Sequence, residues 1–397
     1  MGKLKLFGFA SFLVFFFDAC TVHETKSEIP TLSIDLDQVR KGKASDYFES
    51  VDYLWFEDES SEDASIGVFH RVIKHKGRFY IFDEDICICF YIFSEDGKFI
   101  KKIKGYGEGP GEYMSPSVFL IQNDTILLND ISQKKILSYD LDGNWLEDGE
   151  QRLPANEVHL DSKGNEYYFS RSYMLNNTKN QVRVFDKHGH LKFVGFPYKD
   201  EFLGLNVVNR KPFVELSGGV VLVDDYIDTL YIIDQYVEKP FLAFDFKDKG
   251  YKSKDLERLK DLDVMEQLEF LNKKTPLYFD GRAVLSERFF IGSFRFQEKS
   301  VIGVYDFENH VSSTFDFGVI NDLDQGKVIY GLSPLDQESV YSWTTGIDLY
   351  KHVESLKRTM SKEEWQKYVK GEGSNLVNTA IRAKESENRV LIIFKWK

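Results

Sequence analysis

The chain is short of cysteine, proline and positive charge, and each shortage removes a class of protein. Of its 397 residues only 3 are cysteine and 9 proline. Cys87 and Cys89 share one short segment and Cys20 stands near the N-terminus, which excludes a disulfide-scaffolded domain and offers no Cys/His set for a structural zinc. Few prolines beside 34 Phe and 21 Tyr exclude a disordered chain and favour strands. Lys and Arg number 51 against 64 Asp and Glu, a formal net charge of −13. That balance opposes phosphate backbones and argues against nucleic acid as a partner. Catalytic signatures are also missing. The histidines beyond the tether, His70, His75, His159, His188, His190, His310 and His352, are scattered, with no His-Glu-x-x-His and no nucleophile beside an identifiable base. Neither a metal nor a cofactor is expected.

What the chain does have is a period. Asp96-Gly97, Asp142-Gly143 and His188-Gly189 each follow an aromatic-ended apolar run, their glycines lie 46 positions apart, and Asp234-Gln235 falls where a fourth turn is due. Asp-Gly and His-Gly between β-type runs are hairpin signals, because Gly accepts positive φ. A repeat of about 40–50 residues is the period of a propeller blade. The fifth turn, Glu308-Asn309-His310, comes 28 residues late, and a helical stripe from Leu256 through Leu259, Leu262, Met265 and Leu268 to Leu271 takes up the surplus. A sixth unit, read from Val328-Ile329-Tyr330, is interrupted after about Asp348, where Ser361-Lys362-Glu363-Glu364 reads as a capping box. The chain ends on Val390-Leu391-Ile392-Ile393-Phe394, a strand expected to pair with the N-terminal part and close a ring without free edges. The expected fold is all-β: a six-bladed β-propeller with two helical inter-strand or inter-blade insertions, at about 247–275 and 348–388, spanning 31–397.

The N-terminus reads as an export signal. Lys3 and Lys5 precede Leu6 to Phe17, about a dozen apolar residues, the length of a signal-peptide core and too short to span a bilayer. Phe17-Asp18-Ala19-Cys20 resembles a bacterial lipobox, with Phe17 where Leu is usual and Asp18 where a small residue is usual. Residues 1–20 are therefore the lipoprotein signal, Cys20 the expected lipidation site, and 21–30 a polar tether to the domain. The expected place is the cell envelope, anchored by lipid to the outer membrane, on its periplasmic face or at the cell surface.

Gly105-Tyr106-Gly107-Glu108-Gly109-Pro110-Gly111-Glu112-Tyr113 resembles the Gly-x-Gly-Pro-Gly-Glu-Tyr loop of the six-bladed β-propeller lipoproteins of Bacteroidetes. Asp228-Thr229-Leu230-Tyr231 with Lys239-Pro240, and the ending Glu387-Asn388-Arg389-Val390-Leu391, are similar to further patterns of that group, with Arg389 in place of a proline. The resemblance implies a propeller akin to the NHL and TolB types and an envelope location; it implies no activity.

As a candidate ligand loop, Gly107, Glu108, Gly109, Pro110, Gly111, Glu112 and Tyr113 are weighed against a tight crossing between blades, the favoured reading. Phosphate binding is argued against by Pro110, which has no N–H, and by the missing third glycine of a dinucleotide fingerprint. Cys87 and Cys89 are read as small buried groups on one strand face rather than as a disulfide. The expected function is that of an exported, lipid-anchored, non-enzymatic module binding a protein, peptide or glycan. The alternatives are a carbohydrate-active or lactonase-like hydrolase with its site on the propeller axis, and a structural subunit of an envelope complex.

Overall fold

The 46-residue period has a local cause. At each of three outer hairpins a short polar side chain accepts hydrogen bonds from the turn it opens: Asp140 from the N–H of Asp142 and Asn144, Asp186 from those of His188 and His190, and Ser94 from that of Lys98. A glycine then takes the left-handed region, with φ +85° at Gly97, +73° at Gly143 and +81° at Gly189. A side chain there would also collide with the preceding blade, since a Cβ on Gly143 would lie 2.5 Å from Ile103. At the fourth hairpin the tip is Gln235-Tyr236, one residue later than the spacing suggests, with both residues at positive φ. At the fifth, Asp306 binds the N–H groups of Glu308 and Asn309, and His310 takes the left-handed place at φ +54°.

The structure is a computed structural model that describes residues 29–58, 62–170, 180–197, 211–251, 257–259, 261–273 and 276–397. Cys20, the export signal and most of the tether lie outside the described residues, as does Leu256 of the helical stripe. Three strands come first: β1 (Thr31–Ser33), β2 (Arg40–Lys43) and β3 (Phe48–Trp55). Blade 1 holds β4 (Arg71–His75), β5 (Arg78–Asp83), β6 (Cys89–Ser94) and β7 (Phe99–Ile103), and blade 2 holds β8 (Pro116–Gln122), β9 (Thr125–Asp130), β10 (Lys135–Tyr139) and β11 (Trp145–Glu150). Blade 3 holds β12 (Glu157–Leu160), β13 (Glu166–Phe169), β14 (Asn180–Phe185) and β15 (Leu191–Pro197), and blade 4 holds β16 (Phe213–Leu216), β17 (Gly219–Leu222), β18 (Thr229–Asp234) and β19 (Val237–Asp245). Blade 5 holds β20 (Tyr278–Leu285), β21 (Phe289–Phe296), β22 (Lys299–Asp306) and β23 (Val311–Ile320). Blade 6 holds β24 (Ser333–Pro334), β25 (Ser339–Thr345), β26 (Arg389–Trp396) and β3.

The ring closes as expected, because the terminal strand β26 pairs antiparallel with β3, Ile392 opposite Tyr53. Not anticipated are two straps. β1 adds in parallel to the outer edge of blade 4, and β2 to that of blade 5, so the N-terminal segment covers two edges that would otherwise present unpaired backbone. Aromatic and branched side chains fill the spaces between blades, for instance Phe244, Phe279, Phe290 and Phe294 between blades 4 and 5, with ring centroids 5.0–5.5 Å from Phe244.

Helix α1 (Val264–Lys273) lies between blades 4 and 5. The stripe that predicted it is broken at Asp263, whose carboxylate accepts from the N–H of Glu266 and so starts the helix there. The second insertion is α2 (Gly346–Thr359), α3 (Lys362–Tyr368) and α4 (Ser374–Arg382), between β25 and β26. The Ser361–Glu364 capping box is formed in both directions. Leu349, Val353, Leu376, Val377 and Ala380 bury against Phe394 and Trp396 of blade 6.

Two local readings are corrected. Val328-Ile329-Tyr330 is not the first strand of blade 6: Ile329 makes an isolated bridge to Val319 at the end of blade 5, and β24 follows it. Cys87 and Cys89 are joined in a disulfide, with Cα atoms 5.1 Å apart. Strand β6 begins only at Cys89, and Ile88 sits at φ +50°, so strict alternation fails and the two side chains converge.

Candidate functional site

Each blade sends its first strand along the axis, and three of these entries carry a charge. Arg71 opens β4, Glu157 opens β12, and Lys211 stands two residues before β16. All three lie at the end of the ring where the chain crosses between blades. Arg71 reaches past blade 2, donating from Nη1 to the carbonyl of Phe119 at 3.0 Å and from Nη2 to Oε2 of Glu157. The other carboxylate oxygen of Glu157 accepts from the N–H of Val158 at 3.1 Å, and only 4% of the residue is exposed. Lys211 spans from blade 4 to blade 6, donating from Nζ to the carbonyl of Pro334 at 3.0 Å, 5.4 Å from the centre of the Tyr341 ring.

These residues line one end of an axial cavity of about 1050 Å³. Going along β12 from Glu157, the next side chain on the same face is His159, whose ring lies 6.0 Å from those of Tyr167 and Phe213. Its Nε2 is buried and has no hydrogen-bond partner among the described residues. The opposite end is a rim of carboxylates. Glu215 of blade 4 accepts from the N–H and hydroxyl of Ser162 of blade 3, and Glu287 of blade 5 accepts in the same way from Ser217 of blade 4. Asp161 and Asp336 complete it. Arg71, Glu157 and Lys211 thus stand at one end and Asp161, Lys163, Glu215, Glu287 and Asp336 at the other, with Val158, Val214 and Phe213 between them.

Burial sets the protonation at the first end. The ammonium of Lys211 is pushed down to about 7, first by desolvation and then by the like charge of Arg71, against the pull of Glu157. Desolvation pushes the Glu157 carboxyl up, opposed by Arg71, and pushes His159 down so that it is neutral at pH 7. A lysine with a lowered pKa, a paired carboxylate and a neutral imidazole thus face one cavity.

The glycine loop has another place. It joins β7 to β8, and none of Gly107, Glu108, Gly109, Pro110, Gly111, Glu112 and Tyr113 lines the cavity. Oε2 of Glu112 accepts from the N–H of Gly109 at 2.8 Å, Gln133 donates to the carbonyl of Gly107, Lys135 to that of Gly109 and Tyr139 to that of Gly111. Tyr113 is fully buried and donates to the carbonyl of Ile88 at 2.9 Å. The loop staples blade 1 to blade 2 while Glu108 and Pro110 face solvent. Among the described residues no group of three or more His, Cys, Asp or Glu converges to hold a metal ion, and no helix is long and apolar enough to cross a membrane.

Arg71, Glu157 and Lys211 were not singled out by motif. The signal that marks them is positional: a charged residue at the entry to an axial strand in three blades.

The family model for a domain of unknown function, DUF4934, matches residues 30–395, and the chain belongs to that family. Among solved structures it is similar to a Bacteroides fragilis protein named for its expected export, with a TM-score of 0.69 and 15% identity over 93% of this chain and 100% of that one. It is also similar to a DUF4221-family member from Bacteroides vulgatus, with a TM-score of 0.44 and 10% identity over 88% and 97% of the two chains. The first likeness is one of fold, and the second carries no argument. No curated protein matches in sequence.

Proposed function

We propose that this DUF4934-family propeller is a binding protein of the bacterial cell envelope, tethered by lipid on Cys20, that holds a ligand of sugar or short-peptide size in its axial cavity. The observation that carries the reading is the cavity itself. Its volume of about 1050 Å³ is at the upper end of small-molecule sites, and its wall combines apolar residues such as Val158, Phe213 and Val214 with many convergent polar and charged groups. Its two ends carry different groups, Arg71, Glu157 and Lys211 at one and mainly carboxylates at the other, so a ligand with an acidic end and a basic or hydroxyl-rich end fits it in one orientation. The basic and apolar N-terminal segment, the lipobox-like Phe17-Asp18-Ala19-Cys20 and the fold shared with a protein named for export support the envelope location.

The test is a thermal-shift screen of the chain from Thr21 onward against divalent metals, glycans, short peptides and small carboxylic acids, beside a Val214→Trp variant that fills the cavity. A ligand at a hundred times its Kd adds about 2.7 kcal/mol of stability. Stabilisation of the wild type and not of the variant is expected. Equal stabilisation of both would move the site off the axis, and stabilisation by no ligand would overturn the reading.

A further inference from the structure

We infer that the Cys87–Cys89 disulfide is a redox site, opened in the folded protein by thiol exchange with a dithiol. The site lies in the connection between β5 and β6 of blade 1 and is independent of the axial cavity.

A disulfide that serves stability joins distant parts of a chain, because the loop-closure entropy it removes grows with the length of the loop. Cys87 and Cys89 are separated by 2 positions within one connection, so their bond ties together nothing that the backbone does not already hold. The bond also has a conformational cost. Ile88, between the two cysteines, sits at φ +50°, and among the described residues it is the one β-branched residue at positive φ, a region where the Cβ crowds the neighbouring backbone. Opening the bond lets residue 88 leave that region. Access is one-sided. Cys89 opens β6 and is fully buried, whereas Cys87 is partly exposed and follows Ile86, which is 69% exposed. An incoming thiolate meets Cys87 first. The carbonyl of Ile88 accepts from the Tyr113 hydroxyl at 2.9 Å, so a change at residue 88 reaches the glycine loop that staples blade 1 to blade 2.

The step balances with the dithiol as its one co-reactant. A thiolate of the dithiol attacks Sγ of Cys87, a mixed disulfide forms, the Cys87–Cys89 bond breaks, and Cys89 leaves as a thiolate and takes a proton. The second thiolate of the reductant attacks its own sulfur in the mixed disulfide, closing the reductant into a disulfide and expelling Cys87, which is protonated in turn. Two electrons pass to the protein, and two thiols are exchanged for two thiols. A monothiol is disfavoured in this role. After its first attack Cys89 stands beside the mixed disulfide and closes the ring again before a second monothiol arrives, whereas the second thiol of a dithiol is tethered at comparable effective concentration.

The probes are dithiothreitol and glutathione at equal thiol concentration, applied to the full-length protein, with near-UV circular dichroism to follow the fold. Free thiols are alkylated and located by peptide mass spectrometry, which separates Cys20 from the pair. Dithiothreitol is expected to open Cys87–Cys89 without unfolding, at least about tenfold faster than glutathione. Ile88→Gly, which occupies the left-handed region freely, should require about tenfold more reduced over oxidised dithiothreitol for half-reduction. With oxidised glutathione, Cys87 in Cys89→Ala should form a mixed disulfide at least about tenfold faster than Cys89 in Cys87→Ala. Hydrogen exchange over residues 105–113 should quicken in the reduced protein, and unchanged exchange there would strike the link to the glycine loop. A pair that stays oxidised until urea unfolds the protein, or an Ile88→Gly variant with the wild-type half-reduction ratio, would overturn the proposal.

Discussion

Two polar clusters tie separate parts of this propeller together, one closed within protein around Asp324 and one along a cavity wall around Glu157. Around Asp324, just beyond β23, the carboxylate accepts from the Tyr53 hydroxyl at 3.2 Å, Asn321 Nδ2 at 2.9 Å and the N–H of Gly326 at 3.0 Å. Tyr368 of α3 donates to the Asp324 carbonyl at 2.5 Å. This cluster joins blade 5, the closing strand β3 and the helical insertion, and its contacts are all protein. At the axis, Arg71, Glu157 and Lys211 also join separate blades, but they do so along the wall of a cavity. Burial raises the Asp324 carboxyl to about 6 and lowers the Lys211 ammonium to about 7. In the first cluster the desolvation cost is offset by closed hydrogen bonding that adheres one part to another. In the second the groups stand on a cavity wall, where Arg71 and Lys211 keep part of their surface exposed.

The comparison can be broken most forcefully at Glu157. Glu157→Ala leaves the Arg71 guanidinium without its carboxylate and should cost about 3–5 kcal/mol in urea unfolding; a loss below about 1 kcal/mol would mean that the axial pair is effectively solvated. Next is the pH dependence of Lys211. Its folded pKa lies below the unfolded value, so between about 7 and 10.5 the unfolded chain binds the proton and the folded chain does not, and stability rises with pH. The rise attributable to this group should reach about 3 kcal/mol from pH 7 to 9.5 and be absent in Lys211→Met, measured by urea unfolding at each pH.

Asp324 should give the reverse sign. Its folded pKa is raised from the ordinary 3.8 to about 6, so its favourable contribution is complete below 3.8 and is lost as pH rises through about 6. Asp324→Asn should remove a dependence of about 2–3 kcal/mol across that window. The smallest effect is expected at Tyr368→Phe, which deprives the buried Asp324 carbonyl of its donor at a cost of about 1–2 kcal/mol and loosens the helical insertion. Hydrogen exchange in α3 and α4 faster than in blade 6 would locate that loss.

Legibility in the sequence followed the range of the interaction. The outer hairpins announced themselves because Asp140 and Gly143, or Asp186 and Gly189, settle their geometry within five residues. The capping box at Ser361 was readable for the same reason. The disulfide was not, since it depends on the left-handed Ile88, a conformation a β-branched residue gives no warning of. Nor were the straps, because three- and four-residue strands such as Thr31–Ser33 and Arg40–Lys43 carry too little pattern to be seen before the edges they cover exist. The glycine loop was visible as a motif, and its hydrogen bonds to Gln133, Lys135 and Tyr139 place it between blades rather than at the cavity.

By itself, then, the sequence determined the blade: its length, its turns, the order of its strands and the closing strand at Val390 to Phe394, all set by backbone conformation and alternation over a few residues. Only the tertiary structure decided where a site could be. Arg71, Glu157 and Lys211 are separated by 86 and 54 positions along the chain, and nothing local relates them. They meet because closing the ring brings the entry of each axial strand to one place, at the wall of one cavity.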